Sequence, residues 1–319
     1  MDTKPMISVL MPVYNAERYV AEAIASVLQQ SFAQFEFIIV NDGSTDGSRN
    51  VISTFNDRRI ILIDQPHQGV AAALNTGLKY ARANYIARFD ADDICHPDRL
   101  EKQLNYLLDN SEYILVGSDV EYILENGDFL FNFQCIAHSH DQIMEKLYFY
   151  CPFIHPTVMY KKESIINAGG YATNAHNFED YLLWTKLANA GKFHNLSEPL
   201  VKYRLNSTSV TIDEKWRGKR FRKLKRAAIT RGAVTPTEAD ELLAIIQTQN
   251  IDKIKRGAYH ALCGKKLLAD NYQPAKARHH VRKAIQIHPS RLDNYLLYTV
   301  SFLPERWIAW LHKLSPNRL

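Results

Sequence analysis

Tyr85-Ile86-Ala87-Arg88-Phe89-Asp90-Ala91-Asp92-Asp93 is the stretch on which the fold turns. Its first five residues read as a short strand, and the chain passes without a break into three carboxylates within four positions. Side chains alternate along an extended chain, so Asp90 and Asp92 project to the same side. The carboxyl end of a parallel strand is where open α/β sheets take their ligands. Two hard oxygen donors placed there form a divalent-cation site, and carboxylates with open coordination positions suit Mg2+ or Mn2+ bridging to substrate phosphates. Taken alone, the same segment also reads as a solvated acidic loop ahead of the helix that follows Pro97.

Outward from this stretch, strands and helices alternate. Ile7–Tyr14, Phe35–Val40 and Arg59–Asp64 read as strands, as does Tyr85–Phe89. Ala16–Gln30, with Tyr19, Val20, Ala23, Ile24 and Val27 at helical spacing, reads as an amphipathic helix. Helices are also expected from Asp46 to Phe55, after the turn chemistry of Asn41–Ser48, and over Gln68–Ala81 and Arg99–Leu108. Nearly continuous apolar strands separated by helices imply a parallel sheet covered on both faces. From about 112 to 210 the pattern turns irregular, with short strands at 113–117, 120–124, 157–160 and 193–196 and a helix from Asp180 to Ala190, as in a mixed-sheet completion of the same domain. Beyond it every segment reads as helix. The expected organisation is therefore an α/β nucleotide-binding domain over residues 1–212 followed by a helical region over 213–319. Within the latter, residues 258–289 resemble a tetratricopeptide-like helix hairpin through Gly264, Tyr272, Ala277, Ala284 and Pro289.

Composition narrows the class. The chain has 319 residues, 46% hydrophobic and 23% charged, which is globular and excludes disordered and collagen-like chains. No apolar run approaches the length of about 20 residues needed to cross a bilayer. The opening MDTKPMISVL lacks the basic start of a secretory signal, so a cytoplasmic protein is expected. Cys95, Cys135, Cys151 and Cys263 show no metal-ligand spacing and read as reduced thiols. A net charge of +5 conceals a split: residues 1–214 carry 17 Lys and Arg against 27 Asp and Glu, whereas residues 215–319 carry 22 against 7. The basic part points to an anionic partner. Residues 215–226 interleave eight Lys and Arg with Trp216, Phe221 and Leu224, and residues 307–311 add Trp307, Ile308, Trp310 and Leu311. Both resemble interfacial segments, so peripheral contact with the inner, anionic face of the cytoplasmic membrane is expected, and nucleic acid is not.

Other strand ends strengthen the nucleotide reading. Strand one ends in Pro12-Val13-Tyr14-Asn15 and strand two in Asn41-Asp42. Tyr14 offers a ring face to a base, and Asp42 can accept a hydrogen bond from a uracil or other ring N–H. Ile7-Ser-Val-Leu-Met-Pro-Val-Tyr-Asn15, Ile39-Val-Asn-Asp-Gly-Ser-Thr-Asp46, Gly69-Val-Ala-Ala-Ala-Leu-Asn75, Phe89-Asp-Ala-Asp-Asp93 and Phe178-Glu-Asp180 together resemble the ordered motif series of family 2 glycosyltransferases, over about residues 5 to 210. That resemblance implies a GT-A fold, a nucleotide-diphospho-sugar donor, inversion at the anomeric carbon and a divalent metal, Mn2+ or Mg2+. Position by position it implies Pro12, Tyr14, Asn15, Asp42 and Asn75 at the donor, Asp90 and Asp92 at metal and donor sugar, and Asp180 as catalytic base. His155 and Glu179 are candidates for the acceptor side. Two positions depart from the pattern: Leu74 stands where many relatives carry Arg, and Asn206 where many carry His.

The chemistry agrees with those roles. Inversion needs one carboxylate to take the acceptor hydroxyl's proton while that oxygen attacks from the face opposite the leaving group. A saccharide or lipid-linked acceptor of a bacterial surface polymer is the class implied by the resemblance, and UDP the better donor because Asp42 suits uracil. A dinucleotide oxidoreductase is excluded, because no G-x-G-x-x-G follows strand one. A metal-dependent sugar nucleotidyltransferase and a non-catalytic domain serving as a binding platform are the remaining alternatives.

Overall fold

β1 (Ile7–Val13) and β2 (Phe35–Asp42) pair in parallel, Ile7 opposite Phe35 through Val13 opposite Asn41, and nearly every residue of both is buried. Such two-sided burial is what an unbroken apolar run predicts for a central parallel strand. The structure, a computed structural model, describes residues 4–207, 217–248 and 251–314. β3 (Ile60–Gln65) and β4 (Tyr85–Arg88) extend the parallel set on either side, giving the order β3-β2-β1-β4. Past β4 the sheet changes sense. β8 (Met159–Lys161) runs antiparallel to both β4 and β6 (Tyr113–Ile123), and β9 (Lys192–Arg204) and β5 (Ile94–Cys95) complete the path, with β7 (Phe129–Phe133) paired to β6.

The helices α1 (Val20–Leu28), α2 (Ser48–Ser53), α3 (Val70–Tyr80) and α4 (Arg99–Asp109) follow the periodicity of the sequence. α3 lies hard against the sheet at Gly77, where an added Cβ would stand 2.0 Å from Leu10 Cδ1. Leu10 itself is fully buried in a core shared with Ile38, Leu74, Tyr160 and Trp184. The irregular stretch holds α5 (His140–Lys146), α6 (Lys162–Asn167) and α7 (Glu179–Lys186), around the short 3-10 turn His155–Thr157. Where two strands were expected at 113–117 and 120–124 there is one. Ser118 and Asp119, which look like a turn in sequence, are buried and bonded: Ser118 N donates to Thr157 Oγ1 at 3.2 Å, and Asp119 Oδ1 accepts from Cys135 N at 2.7 Å.

Later in the chain come α8 (Lys219–Arg231), α9 (Pro236–Thr248), α10 (Ile251–Ala269), α11 (Pro274–Ile287), α12 (Leu292–Val300) and α13 (Glu305–Leu314). By packing, the chain divides into two units, one of residues 1–120, 133–203 and 224–241, the other of 121–132, 204–223 and 242–319. In the second unit α10 and α11 form a hairpin closed at Gly264, where an added Cβ would come within 2.5 Å of Val281 Cγ2. Phe221 and Leu224 are buried. All four cysteines are free. Among the described residues no helix is long and apolar enough to cross a membrane.

Candidate active site

The first unit gathers its polar residues at the carboxyl ends of β1, β2 and β4. Where β4 ends, Asp90, Asp92 and Asp93 each bring a carboxylate oxygen within 4.8 Å of the others. The sequence expected strand alternation to bring Asp90 and Asp92 to one side, but β4 ends at Arg88 and Ala91-Asp92 form a turn, and it is this turn that gathers the three carboxylates. Asp93, which the sequence reading left out of the set, is the most buried of the three. Oxygen donors at this spacing fit one small hard cation at a ligand distance of about 2.0 to 2.6 Å, so the residues suit Mg2+ or Mn2+.

Beneath the cluster lies Arg88, 4% exposed, whose Nη1 donates to Asp90 Oδ2 at 2.6 Å. Two positions apart on an extended chain, Arg88 and Asp90 share a side, and the guanidinium holds one carboxylate oxygen while Oδ1 remains for a cation. Burial works against the Arg88 charge, but Asp90, Tyr171 and Asp180 around it raise its pKa overall, so the cation is fixed. The backbone beside it is held by Arg99, also fully buried, which donates Nη2 to Arg88 O at 2.8 Å and Nε to Gln103 Oε1 at 3.0 Å. Neither arginine was singled out from sequence.

At the end of β2 the Asp42 side chain is buried, 2% exposed. Oδ1 accepts from Gln65 Nε2 at 2.6 Å and Gln68 N at 2.9 Å; Oδ2 accepts from Gly69 N at 2.8 Å and lies 2.9 Å from His67 Nδ1. Three hydrogen bonds engage the carboxylate, while the His67 Nδ1 hydrogen bond runs to the Asp42 backbone oxygen at 3.1 Å. A nucleobase N–H that takes the place of Gln65 therefore exchanges one donor for another. Gly69, at φ +90°, opens α3 with its N–H on this carboxylate. Tyr14, 46% exposed, stacks on His67 with ring centroids 3.9 Å apart. Asn15 turns the chain after Pro12 and β1, its φ of +50° in the left-handed region and its Oδ1 accepting from Thr45 N at 2.8 Å.

The third part is built around α7. Asp180 stands in the first turn of that helix, where backbone dipoles favour an ionised carboxylate, and its Oδ1 accepts from Tyr181 N at 2.7 Å. His155 Nδ1 approaches Asp180 Oδ2 at 3.9 Å, and His155 Nε2 lies 3.3 Å from Tyr171 Oη, which in turn is 3.3 Å from Tyr160 Oη. Burial, with Arg88 nearby, pushes the His155 pKa well below its usual value. The imidazole is thus neutral, and its approach to Asp180 is a polar contact too long for a hydrogen bond. Glu179 faces inward, 8% exposed, and burial beside Asp180 pushes its carboxyl up to about 7. Asn75 supports this arrangement from α3: its Nδ2 donates to Tyr171 O at 2.8 Å and its Oδ1 accepts from Tyr171 N at 2.9 Å, so both ends of the amide hold the loop that carries Tyr171. An open cavity of 630 Å3 lies at the opposite, amino end of β2 near Phe35 and Glu36, where Arg59 and Arg82 are paired with Asp57 and Glu36.

The fold is that of known sugar transferases. The structure of S. aureus TarS 1-349 in complex with UDP-GlcNAc matches with a TM-score of 0.52 at 16% identity, over 97% of this chain and 92% of that one. The mannosyltransferase PcManGT from Pyrobaculum calidifontis, in complex with GDP-Man and Mn2+, matches at 0.52 and 20%, over 99% and 88%. At such identities the likeness shows the GT-A fold and no more. Sequence is more specific: the O-antigen biosynthesis glycosyltransferase WbnJ of Escherichia coli is 35% identical over 210 residues, 64% of this chain and 81% of that one. Residues 8–166 match the family model described as Glycosyl transferase family 2, and the chain belongs to that family and is a glycosyltransferase.

Proposed function

We propose that this glycosyltransferase moves a sugar, with inversion, from a nucleotide-diphospho-sugar to a hydroxyl of a saccharide or lipid-linked acceptor in the assembly of a bacterial surface polysaccharide. The observation that carries the reading is the carboxylate cluster of Asp90, Asp92 and Asp93, with oxygens within 4.8 Å of one another and Asp90 held by the buried Arg88 at 2.6 Å. The relatives support the setting, since WbnJ is named for O-antigen biosynthesis and another relative, AmsE of Erwinia amylovora, for amylovoran biosynthesis.

In this reading Asp180 takes the proton from the acceptor hydroxyl, and the acceptor oxygen bonds to the anomeric carbon as the bond from that carbon to the phosphate oxygen breaks. The electron pair of the broken bond leaves with the nucleoside diphosphate. Asp90 and Asp92, with Asp93, would hold a divalent ion, which would supply counter-charge to the departing diphosphate. His155 and Tyr171 hold the acceptor side of Asp180 without competing for the proton, because the imidazole is neutral. Pro12, Tyr14, Asn15 and Asp42 frame the base, while Asn75 fixes the loop that carries Tyr171. Residues 1–212 carry this chemistry and 213–319 form the helical appendage, with the protein working at the cytoplasmic face of the membrane.

UDP-sugars are the preferred donors, since a base N–H that displaces Gln65 or His67 finds a carboxylate acceptor. Release of nucleoside diphosphate from a panel of UDP-, GDP- and dTDP-sugars, with Mn2+ or Mg2+ and with EDTA, tests the whole reading. Release from a UDP-sugar that stops with EDTA is expected; activity untouched by EDTA removes the metal, and release from none of the donors removes the donor class.

A further inference from the structure

The apolar stripe of α12 faces the wrong way for a core helix. Leu292, Tyr295 and Leu296 stand at the i, i+3, i+4 spacing that normally points inward, yet they are 79%, 42% and 65% exposed, while polar Asn294 is 3% exposed. The next segment continues the pattern. Phe302, Trp307 and Trp310 are all more than half exposed, whereas Ile308 turns inward. Single exposed apolar side chains need no explanation, but six of them within nineteen residues, 292–310, over two helices and their connection, are the kind of exposure that marks an interaction surface.

The helix packed beside α12 is positively charged. α11 carries Lys276, Arg278, Arg282 and Lys283 and no acidic residue. Arg278 lies over the Phe302 ring at 4.8 Å and donates Nη1 to Ser301 O at 2.8 Å; Arg282 donates Nε and Nη2 to Tyr298 Oη at 2.9 and 2.7 Å. The guanidiniums are thus fixed at the rim of the exposed aromatics. Over residues 242–319 there are 13 Lys and Arg against 4 Asp and Glu.

We propose that the outer face of α12 and α13 is a docking surface for an anionic phospholipid bilayer, with the aromatic and leucine side chains seated at the headgroup boundary and the arginine rim on lipid phosphates. Charge selects this occupant. A second copy of the chain brings the same excess of positive charge to the same face, so a symmetric pairing works against repulsion, whereas an anionic surface is attracted. Indole rings suit the boundary between headgroup and hydrocarbon, and no described helix is long and apolar enough to cross, so the helices lie along the surface. The sequence reading placed part of the apolar contact on 215–226, but Phe221 and Leu224 are buried, and Trp216 lies outside the described residues. The lipid-facing apolar surface is 292–310. This inference does not depend on the sugar-transfer chemistry.

Co-sedimentation of the full chain with phosphatidylglycerol vesicles and with phosphatidylcholine vesicles, read without any donor, tests it. Expected is binding to the anionic vesicles at least about tenfold stronger than to the neutral ones, weakened by about 0.5 M NaCl. The triple variant Leu292→Ser, Leu296→Ser, Trp310→Ser alters exposed side chains only, and is expected to lose that binding about tenfold with its melting temperature and circular dichroism unchanged. Recovery of the unaltered protein in the supernatant with both vesicles overturns the proposal, as does equal sedimentation of the triple variant. A dimer in sedimentation equilibrium that the triple variant dissociates would assign the face to a second copy instead.

Discussion

The carboxyl edge of the sheet and the last two helices carry opposite solutions to the same problem of placing polar and apolar groups. At the sheet edge Arg88, Asp42, Asp93 and Glu179 are buried; Asp42 accepts from Gln65, Gln68 and Gly69, and Arg88 donates to Asp90. In α12 the polar Asn294 is buried and the leucines face outward. Burying charge is costly unless it is paired, and exposing a large apolar patch is unfavourable unless something covers it. Each region is thus locally suboptimal for a chain whose only task is to fold. Such departures from consistency concentrate where a molecule acts on something else.

Four substitutions measure how far that contrast goes. The largest effect is expected for Asp180→Asn, which should cut sugar transfer by at least about two orders of magnitude while donor binding, followed by calorimetry, stays intact; near-normal turnover would take Asp180 out of the mechanism. Leu10→Ala, in the fully buried core under α3, should lower unfolding free energy by about 3 kcal/mol in a urea titration. Glu179→Gln probes the buried carboxyl. Its native pKa of about 7 lies above the unfolded value, so the folded chain keeps a proton that the unfolded chain releases. That contribution is complete below the unfolded pKa of about 4.3 and is lost as pH rises through the folded value. Melting curves of the glutamine variant should therefore coincide with the parent's near the acid end and exceed them above about pH 8, by roughly 2 kcal/mol. A constant difference at every pH would mean that Glu179 does not titrate there. Leu296→Ala should be the smallest, within about 0.5 kcal/mol in urea. A loss as large as that of Leu10→Ala would show that Leu296 packs against the fold and that the two regions obey one rule.

Much of the catalytic edge is legible in the sequence because it depends on local spacing. The acidic run at the end of β4 announces the carboxylate cluster, although a turn at Ala91-Asp92 and not strand alternation assembles it, and the turn residues after β2 announce a strand end. What escapes is the part made by groups distant in the chain. His67 meets Tyr14 across 53 positions, and Asn75 holds Tyr171 across 96, which no periodicity encodes. Arg88 read as one more strand residue, since its burial under Asp90 depends on Arg99 and β8 closing over it. Ser118 and Asp119 looked like a break in β6 because the partners that satisfy them, Thr157 and Cys135, arrive later in the chain. In α12 the period of the stripe was plain, but period says where apolar surface lies on a helix and not which way the helix is turned.

The Asp42 carboxylate has a bearing on selectivity in the proposed donor reading. Three hydrogen bonds already engage it, so an arriving base that takes the place of the Gln65 amide would exchange one partner for another. Affinity for the donor would then come mainly from stacking and from the phosphates. A ring presenting N–H would replace the Gln65 amide on even terms, while a ring presenting a carbonyl at that point would meet a carboxylate oxygen and leave Gln65 without its acceptor. Discrimination between bases would be sharpened by the hydrogen bonds that Asp42 makes within its own fold.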